Sequence, residues 1–344
     1  MTIEVGFLHT WVPRVSALMS YICNPLFIYL VMKRTRSNIG SYKYVLLLFA
    51  IFDIIYSTVE QVIPMAFHTY RLSVSVFLGH GPLAENVPWG QFAIGARLSF
   101  IGLSYGILSV HFIYRYIALC KPQKLYIFTL PKWVAAFFVY FLMHGILWCF
   151  GAYYFGYGMQ ESYDFIDASF TAEYNVSSYK VPMIICIYGD VSSYQILRGW
   201  LAVVSVSSIS CFAVTLYLVI GYQIHQQLKV HKMSTRTKDL HKRLFQALTV
   251  QTVIPIVVSY MPSIMAMYMP VFGINMGKLN NYYSSITLSF FPFCDPLAMI
   301  IIIPDYRRAV KGFLGFKENR SNSITLSHTI EKSQFSNTQH KASA

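Results

Sequence analysis

The sequence predicts an all-α membrane protein, a seven-transmembrane helix bundle with its N-terminus outside. Three observations carry that prediction: the composition is apolar and poor in charge, seven stretches reach spanning length, and basic residues gather in alternate connections. Of 344 residues, 55% are apolar and only 12% charged, with Phe, Tyr and Trp at 17%. A soluble domain carries about 25% charged residues, so this chain needs lipid to cover its surface. The same figures exclude a disordered chain, a coiled coil and a disulfide-rich secreted module. The six cysteines are scattered without a CxxC pair, so no metal site is expected.

A hydrocarbon core about 30 Å thick takes about 20 apolar residues of helix. The first such span, 12–32, follows a short outer segment, 1–11. Glu4 stands where a cleaved signal would be basic, so the span reads as a retained anchor. The second, 44–65, holds Asp53 near its middle and Glu60 toward its outer end. The third, 92–119, holds Arg97 near its outer end, then Gly102-Leu103-Ser104-Tyr105-Gly106, and closes on Arg115 and Tyr116. The GxxxG spacing suits close helix packing; a hydrolase elbow needs a strand–turn–helix setting instead. The fourth span is 133–155. After it come Glu161, Asp164, Asp167, Glu173 and Asp190, with the sequon Asn175-Val176-Ser177, which takes a glycan only in a lumenal loop. The fifth span is 197–220. The sixth, 244–267, contains Pro255 and Pro262, each of which removes a backbone bond and bends the helix. The seventh, 282–303, contains Asp295-Pro296. The membrane domain is thus 12–303. Basic and apolar residues alternate over 304–317 as in a short interfacial helix, and the polar segment 318–344, with a second sequon at Asn319, reads as a disordered inner tail.

The charges set the orientation. Lys33, Arg34, Arg36 and Lys43 fill the first connection; Arg115, Lys121, Lys124 and Lys132 the third; Lys229, Lys232, Arg236, Lys238, Lys242 and Arg243 the fifth. Arg307, Arg308, Lys311 and Lys317 follow the last span, whereas the even connections hold only Arg71, Lys180 and Lys278. Basic residues near span ends stay cytoplasmic, which puts the N-terminus outside, the tail inside and the span count odd. The net charge of +13 is then explained by topology and anionic inner-leaflet lipid, and nucleic acid is not an expected partner.

A charge at the bilayer centre costs about 2.5–3.5 kcal/mol on insertion scales, so intramembrane polar residues face the bundle interior. Asn24, Asp53 and Asp295 are expected to meet at mid-depth, either as a packing cluster or as a switch that repacks on activation. Glu60 and Arg97 each lie roughly 7 Å below the outer edge of consecutive spans, which predicts a salt bridge beside an outer cavity; the alternative is an Arg97 that snorkels outward. Pro255, Pro262 and Pro296 are candidate hinges. Arg115 reads equally as an anchoring arginine or a partner contact, and the single His111 and His144 as packing residues. No span holds a lysine, which argues against a retinal Schiff base. HExxH, Walker-type and GxGxxG motifs are missing, so neither an enzyme nor a cofactor is expected.

Four stretches narrow the reading: Gly40-Ser41-Tyr42-Lys43-Tyr44, His111-Phe112-Ile113-Tyr114-Arg115-Tyr116, Gln251-Thr252-Val253-Ile254-Pro255, and Phe291-Pro292-Phe293-Cys294-Asp295-Pro296-Leu297 with Asp305-Tyr306-Arg307-Arg308. In order, they resemble the nematode serpentine chemoreceptors of the Str superfamily, most closely the Srj class. The resemblance runs from about Asn24 to Arg308. It implies a G-protein-coupled receptor of the plasma membrane, on the sensory cilium of chemosensory neurons, with a small-molecule ligand and a heterotrimeric G protein as partners. By position, Tyr114-Arg115-Tyr116 stands where rhodopsin-like receptors carry acidic-Arg-Tyr, so the usual acid–arginine lock cannot form, and Asp295-Pro296 stands for Asn-Pro. The third span lacks the usual outer cysteine, which leaves Cys186 without an obvious partner. On this reading a ligand enters the outer half of the bundle, where Glu60, His68, Arg97, Tyr105, Trp200 and Tyr268 are the pocket candidates, and the sixth helix moves. Arg115, Tyr116, Arg243 and Arg308 are the candidates for G-protein coupling, and Asn175 for glycosylation. A ligand-gated channel or small-solute transporter is the rival; repeat symmetry and broken helices are not evident.

Overall fold

The structure, a computed structural model, describes residues 3–34, 42–230, 235–274 and 276–315. The expected tail from 318, the Asn319 sequon, Arg36, Gly40, Ser41, Lys232, Phe316 and Lys317 lie outside them. In chain order come α1 (Phe7–Arg34), α2 (Tyr42–Val62), β1 (Met65–Tyr70), β2 (Ser73–Leu78), α3 (Val87–Cys120), α4 (Pro131–Gly156), α5 (Gln160–Tyr174), β3 (Met183–Ile187), α6 (Ser193–Val230) and α7 (Thr235–Pro255). A π-helical turn (Ile256–Tyr260) leads into α8 (Met261–Tyr268), then α9 (Lys278–Asn280), a second π-helical turn (Asn281–Ile286), α10 (Thr287–Ile302) and α11 (Pro304–Phe313). Seven helical stretches are long and apolar enough to cross a membrane: α1, α2, α3, α4, α6, His241–Phe272 and Tyr282–Ile302.

Several boundaries differ from those read by hydropathy, for local reasons. α1 starts at Phe7 and not at residue 12. The second span ends at Val62, short of Met65, because Pro64 disfavours helix in the residue before it. α3 starts at Val87, where the Asn86 side chain accepts the Trp89 N–H at 3.2 Å and Pro88 occupies the first turn. α6 runs ten residues past 220 as a polar but helix-forming stretch, Gly221 to Val230. At 38 residues it is about 57 Å long, well beyond the hydrocarbon core. α11 ends at Phe313, short of 317.

α3 is the axis of the bundle: 72% of its most apolar window is buried, against 22% for α4 and for α6, whose Phe138, Leu142, Phe212 and Leu218 remain exposed to lipid. The predicted close packing of the GxxxG stretch is present. A Cβ built on Gly102 would lie 2.5 Å from the His144 carbonyl oxygen, and one on Gly145 would lie 2.6 Å from Leu103.

The hydropathy reading missed a layered cap at one end of the bundle, here termed the sheet end. β1 and β2 form a hairpin in register Met65↔Leu78 to Tyr70↔Ser73, turning through Arg71 at φ 47°, and β3 pairs antiparallel with β2. Alternation sends Met65, Phe67, Val74 and Val76 onto the bundle and Ala66 and Phe77 up against Ile166 and Phe170 of α5. Both faces are covered, so the strands are buried on each side even where β2 alternates as Ser73-Val74-Ser75-Val76.

Polar clamps hold α5. The Glu161 carboxylate accepts the Ser192 N–H and hydroxyl, each at 2.6 Å, and these bonds hold it below the usual carboxylate range. Slight desolvation would raise Asp167, but bonds from the Ser178 hydroxyl and N–H and from the Ser177 hydroxyl outweigh it and lower it. Both folded values lie below the unfolded ones, about 4.3 and 3.9. Their stabilisation is therefore complete above those values and is lost as pH falls through the folded ones. Amide exchange over Ser178–Lys180, corrected for intrinsic rate, should stay slow at pH 7 and accelerate near pH 3. Equal protection at both pH values would contradict this.

Candidate functional site

Two cavities lie beneath the sheet. The first, about 100 Å³, is lined by His9, Thr10, Pro13 and Arg14 of α1, Glu60 and Gln61 of α2, Pro64, Met65, His80, Arg97 of α3, Ser285 and Leu288. Arg97 Nη2 stands 3.3 Å from Glu60 Oε1, and its guanidinium carbon lies 4.4 Å from the centre of the Tyr56 ring. The depth match of the two charges thus becomes an ion pair, with Arg97 1% exposed. Main-chain bonds shape the wall: His9 Nε2 donates to the Met65 carbonyl at 3.1 Å and Ser285 Oγ to the same oxygen at 2.8 Å. Gln61 Nε2 donates to the Pro13 carbonyl at 3.1 Å. With a carbonyl as its partner, His9 carries its proton on Nε2, which leaves Nδ1 as a buried lone pair with no partner.

The second cavity, about 60 Å³, is apolar. Phe67, Val74, Val76, Ile184 and Cys186 of the sheet roof it; Leu98, Ile101, Trp148, Ala152, Ala202, Val206, Ser263, Met267 and Leu288 complete it. Cys186 is a free thiol here, and burial pushes it up to about 12, so it behaves as an apolar wall.

Below the cavities runs an aromatic column. Trp148 packs on Tyr105 with centroids 5.6 Å apart, and Tyr105 stacks on Tyr260 at 4.0 Å. Tyr260 ends the π-helical turn that begins after Pro255, and its hydroxyl is 3.1 Å from Ser104 Oγ. Tyr217 of α6 donates to the Tyr105 carbonyl at 2.7 Å and stacks on Phe112 at 5.0 Å. Phe112 lies one helical turn before Arg115 at the opposite end of α3.

The other candidates distribute unevenly. Tyr105 and Tyr268 line neither cavity: Tyr105 is in the column, and the Tyr268 hydroxyl sits 2.8 Å from Ser207 Oγ. His68 needs correcting. Strand alternation turns it away from the bundle, 3.1 Å from Glu173 Oε2 and 3.2 Å from Ser169 Oγ on α5. Trp200 is also misplaced as a pocket residue. Gly199 faces β3, where a Cβ would meet the Ile187 carbonyl at 2.4 Å, so Trp200 turns to the flank, 37% exposed against Tyr188.

Asn24, Asp53 and Asp295 are all buried but form no hydrogen bond with one another. Asn24 donates to the Pro292 carbonyl at 2.9 Å, and Gln251 donates to Asp295 Oδ2 at 2.8 Å. Neither Asp53 oxygen has a partner. Pro262 begins α8, and Pro296 lies inside α10 without ending it. Arg115, 6% exposed, stacks 3.8 Å over the Tyr42 ring, with Nε and Nη2 free of hydrogen bonds. Tyr116 lies 5.8 Å under Lys121, Arg243 is exposed on α7, and Arg308 is paired with Asp305 at 2.7 Å. Asn175 is exposed and caps the end of α5 in the left-handed conformation, φ 55°, its N–H donating to the Thr171 carbonyl. Sequence reading passed over His9, Arg14, Leu288, Tyr217 and Tyr260. Only Tyr260, five residues after Pro255, carried a local signal.

Seven spans around a capped central helix, with cavities under the cap and a buried arginine at the far end, define a multi-pass membrane protein of receptor architecture. The chain belongs to the Srj family: the profile described as "Serpentine type 7TM GPCR chemoreceptor Srj" matches residues 3–310. It is 30% identical over 309 residues to serpentine receptor class J-38 of Caenorhabditis elegans, covering 89% of this chain and 93% of that one. Serpentine receptor class r-10 of the same organism is 27% identical over 307 residues, 84% of this chain and 86% of that protein. G-protein coupled receptor str-33, also from C. elegans, is 26% identical over 325 residues, 92% of this chain and 93% of that protein.

Proposed function

We propose that this chain is a chemosensory receptor of the plasma membrane, on sensory cilia, that binds a small molecule under the sheet and activates a heterotrimeric G protein at the opposite end. The positive-inside asymmetry supports placing the sheet end and N-terminus outside and the tail inside, with α11 on the anionic inner interface. The single observation that carries the reading is the continuity of the aromatic column, from Trp148 in the cavity wall through Tyr105 to Tyr260 at the sixth-span bend. A ligand that binds better when Tyr260 has moved shifts the population toward that state. The bend after Pro255 gives the span somewhere to flex. Arg115, with two donor nitrogens unused, Tyr116 and Arg243 then meet the G protein. Asn175 carries a glycan on this topology, and Asp53, Asp295 and Gln251 repack as the sixth and seventh spans move.

The test is expression with a promiscuous G protein and a small-molecule screen. Arg115→Ala is expected to abolish a ligand response while surface expression stays intact. An unchanged response in that variant would remove the coupling role. Loss of a glycosidase-sensitive mass shift in Asn175→Gln checks the orientation. A shift absent from the wild-type chain, with 229–243 shielded from cytosolic protease, would reverse it.

A further inference from the structure

Among the described residues, Leu288 alone is common to the linings of the polar and apolar cavities. It is 2% exposed and sits just past the second π-helical turn, at the start of α10. The chambers also touch neighbouring residues of the same elements: Met65 and Phe67 lie on one face of β1, and Arg97 precedes Leu98 on α3. They are therefore adjacent compartments that both touch the Leu288 side chain, and their chemistry differs. The first carries Arg97 and Glu60, which are buried, and the exposed Arg14, an excess of one positive charge. The second offers almost wholly hydrocarbon.

We propose that the ligand is an amphiphile, with a carboxylate head in the polar cavity and a short unbranched hydrocarbon tail that passes Leu288 into the apolar cavity under the sheet. This rests on the ligand-binding part of the reading above. The head neutralises the excess cation and takes N–H donors from the exposed Arg14, since a guanidinium matches a carboxylate bidentately. The tail is limited by space: about 60 Å³ holds roughly four to six heavy atoms, at about 10–15 Å³ for one water-sized group. Leu288 turns aside to admit the tail and so sets the chain-length preference.

The experiment uses purified full-length receptor in lipid nanodiscs and reads ligand-dependent thermal stabilisation, which needs no G protein. The probes are straight-chain carboxylates from acetate to decanoate and the matched primary alcohols. Apparent affinity should rise about fourfold per methylene to an optimum near six to eight carbons, with the alcohols about tenfold weaker. Arg14→Gln, at an exposed position, should weaken the carboxylates about tenfold and leave the alcohols unaffected. Leu288→Ala should move the optimum up by about two carbons and Leu288→Phe should move it down. If either Leu288 variant is not monodisperse, the milder Leu288→Val takes its place and should move the optimum up by about one carbon. Equal affinity for alcohols, a flat chain-length profile, an optimum unmoved by Leu288 substitution, or silence across the panel each overturn the proposal. A receptor that responds through Arg115 to some other compound but not to this series retains its proposed function and loses only the ligand class.

Discussion

Glu60→Gln is expected to destabilise the receptor by about 3–5 kcal/mol, the range for removing one partner of a buried ion pair. Glu60 and Arg97 are 8% and 1% exposed, and the gap between their charged atoms is 3.3 Å. Losing the carboxylate leaves a buried guanidinium that cannot shed its proton, with the Tyr56 ring at 4.4 Å as its remaining close electrostatic contact among the described residues. Arg97→Met leaves a lone carboxylate, which has the option of binding a proton, so its cost should be the smaller. The double variant Glu60→Gln with Arg97→Met should recover most of the loss, since an apolar replacement of the pair is often neutral. Thermal unfolding of the purified full chain, arranged as a double-mutant cycle, measures all three. Single variants within about 1 kcal/mol of wild type would show that the pair contributes no such coupling.

Gly102→Leu should be equally damaging for a different reason. Its Cβ would stand 2.5 Å from the His144 carbonyl oxygen and 2.7 Å from the Trp148 Cβ. A backbone atom cannot step aside, so α3 and α4 must separate. Overpacking costs about 1–3 kcal/mol and sometimes more; the backbone clash puts this case at about 3 kcal/mol or above. Separation also carries Trp148 away from Tyr105, so the aromatic column opens. The expected readout is loss of surface-expressed, monodisperse receptor. Gly312→Ala is the control: nothing lies within 4 Å of its Cβ position, and removing a helical glycine should leave stability unchanged or slightly raised. Wild-type expression of Gly102→Leu would mean that the α3–α4 contact yields without cost.

The positions of the seven spans and the motif stretches were legible because each rests on residues close in the chain. Hydropathy over twenty residues and the spacing of Gly102 and Gly106 need no partner. Even the Glu60–Arg97 pair was readable, since the 1.5 Å helix rise converts sequence offsets into depth. The strands escaped because each is only five or six residues long and buried on both faces by the bundle and α5, which leaves the Ser73-Val74-Ser75-Val76 alternation of β2 as a brief period-two signal. His68 and Trp200 were misjudged for a related reason: depth was available from the chain, but rotation about the strand or helix axis was not.

By itself, then, the order of residues determined how many helices are long and apolar enough to cross the lipid, where Pro255 interrupts the sixth, and which connections carry the positive charge. Only the tertiary structure decided which side of each helix faces inward, that Leu288 lines both a charged chamber and an apolar one, and that Tyr260 meets Tyr105. The physical reason lies in the solvent. A helix surrounded by lipid is apolar on nearly every side, so it lacks the amphipathic stripe that announces an inward face in a soluble protein. Its orientation is settled by shape and hydrogen bonding against neighbours hundreds of residues away, such as Asn24 against the Pro292 carbonyl.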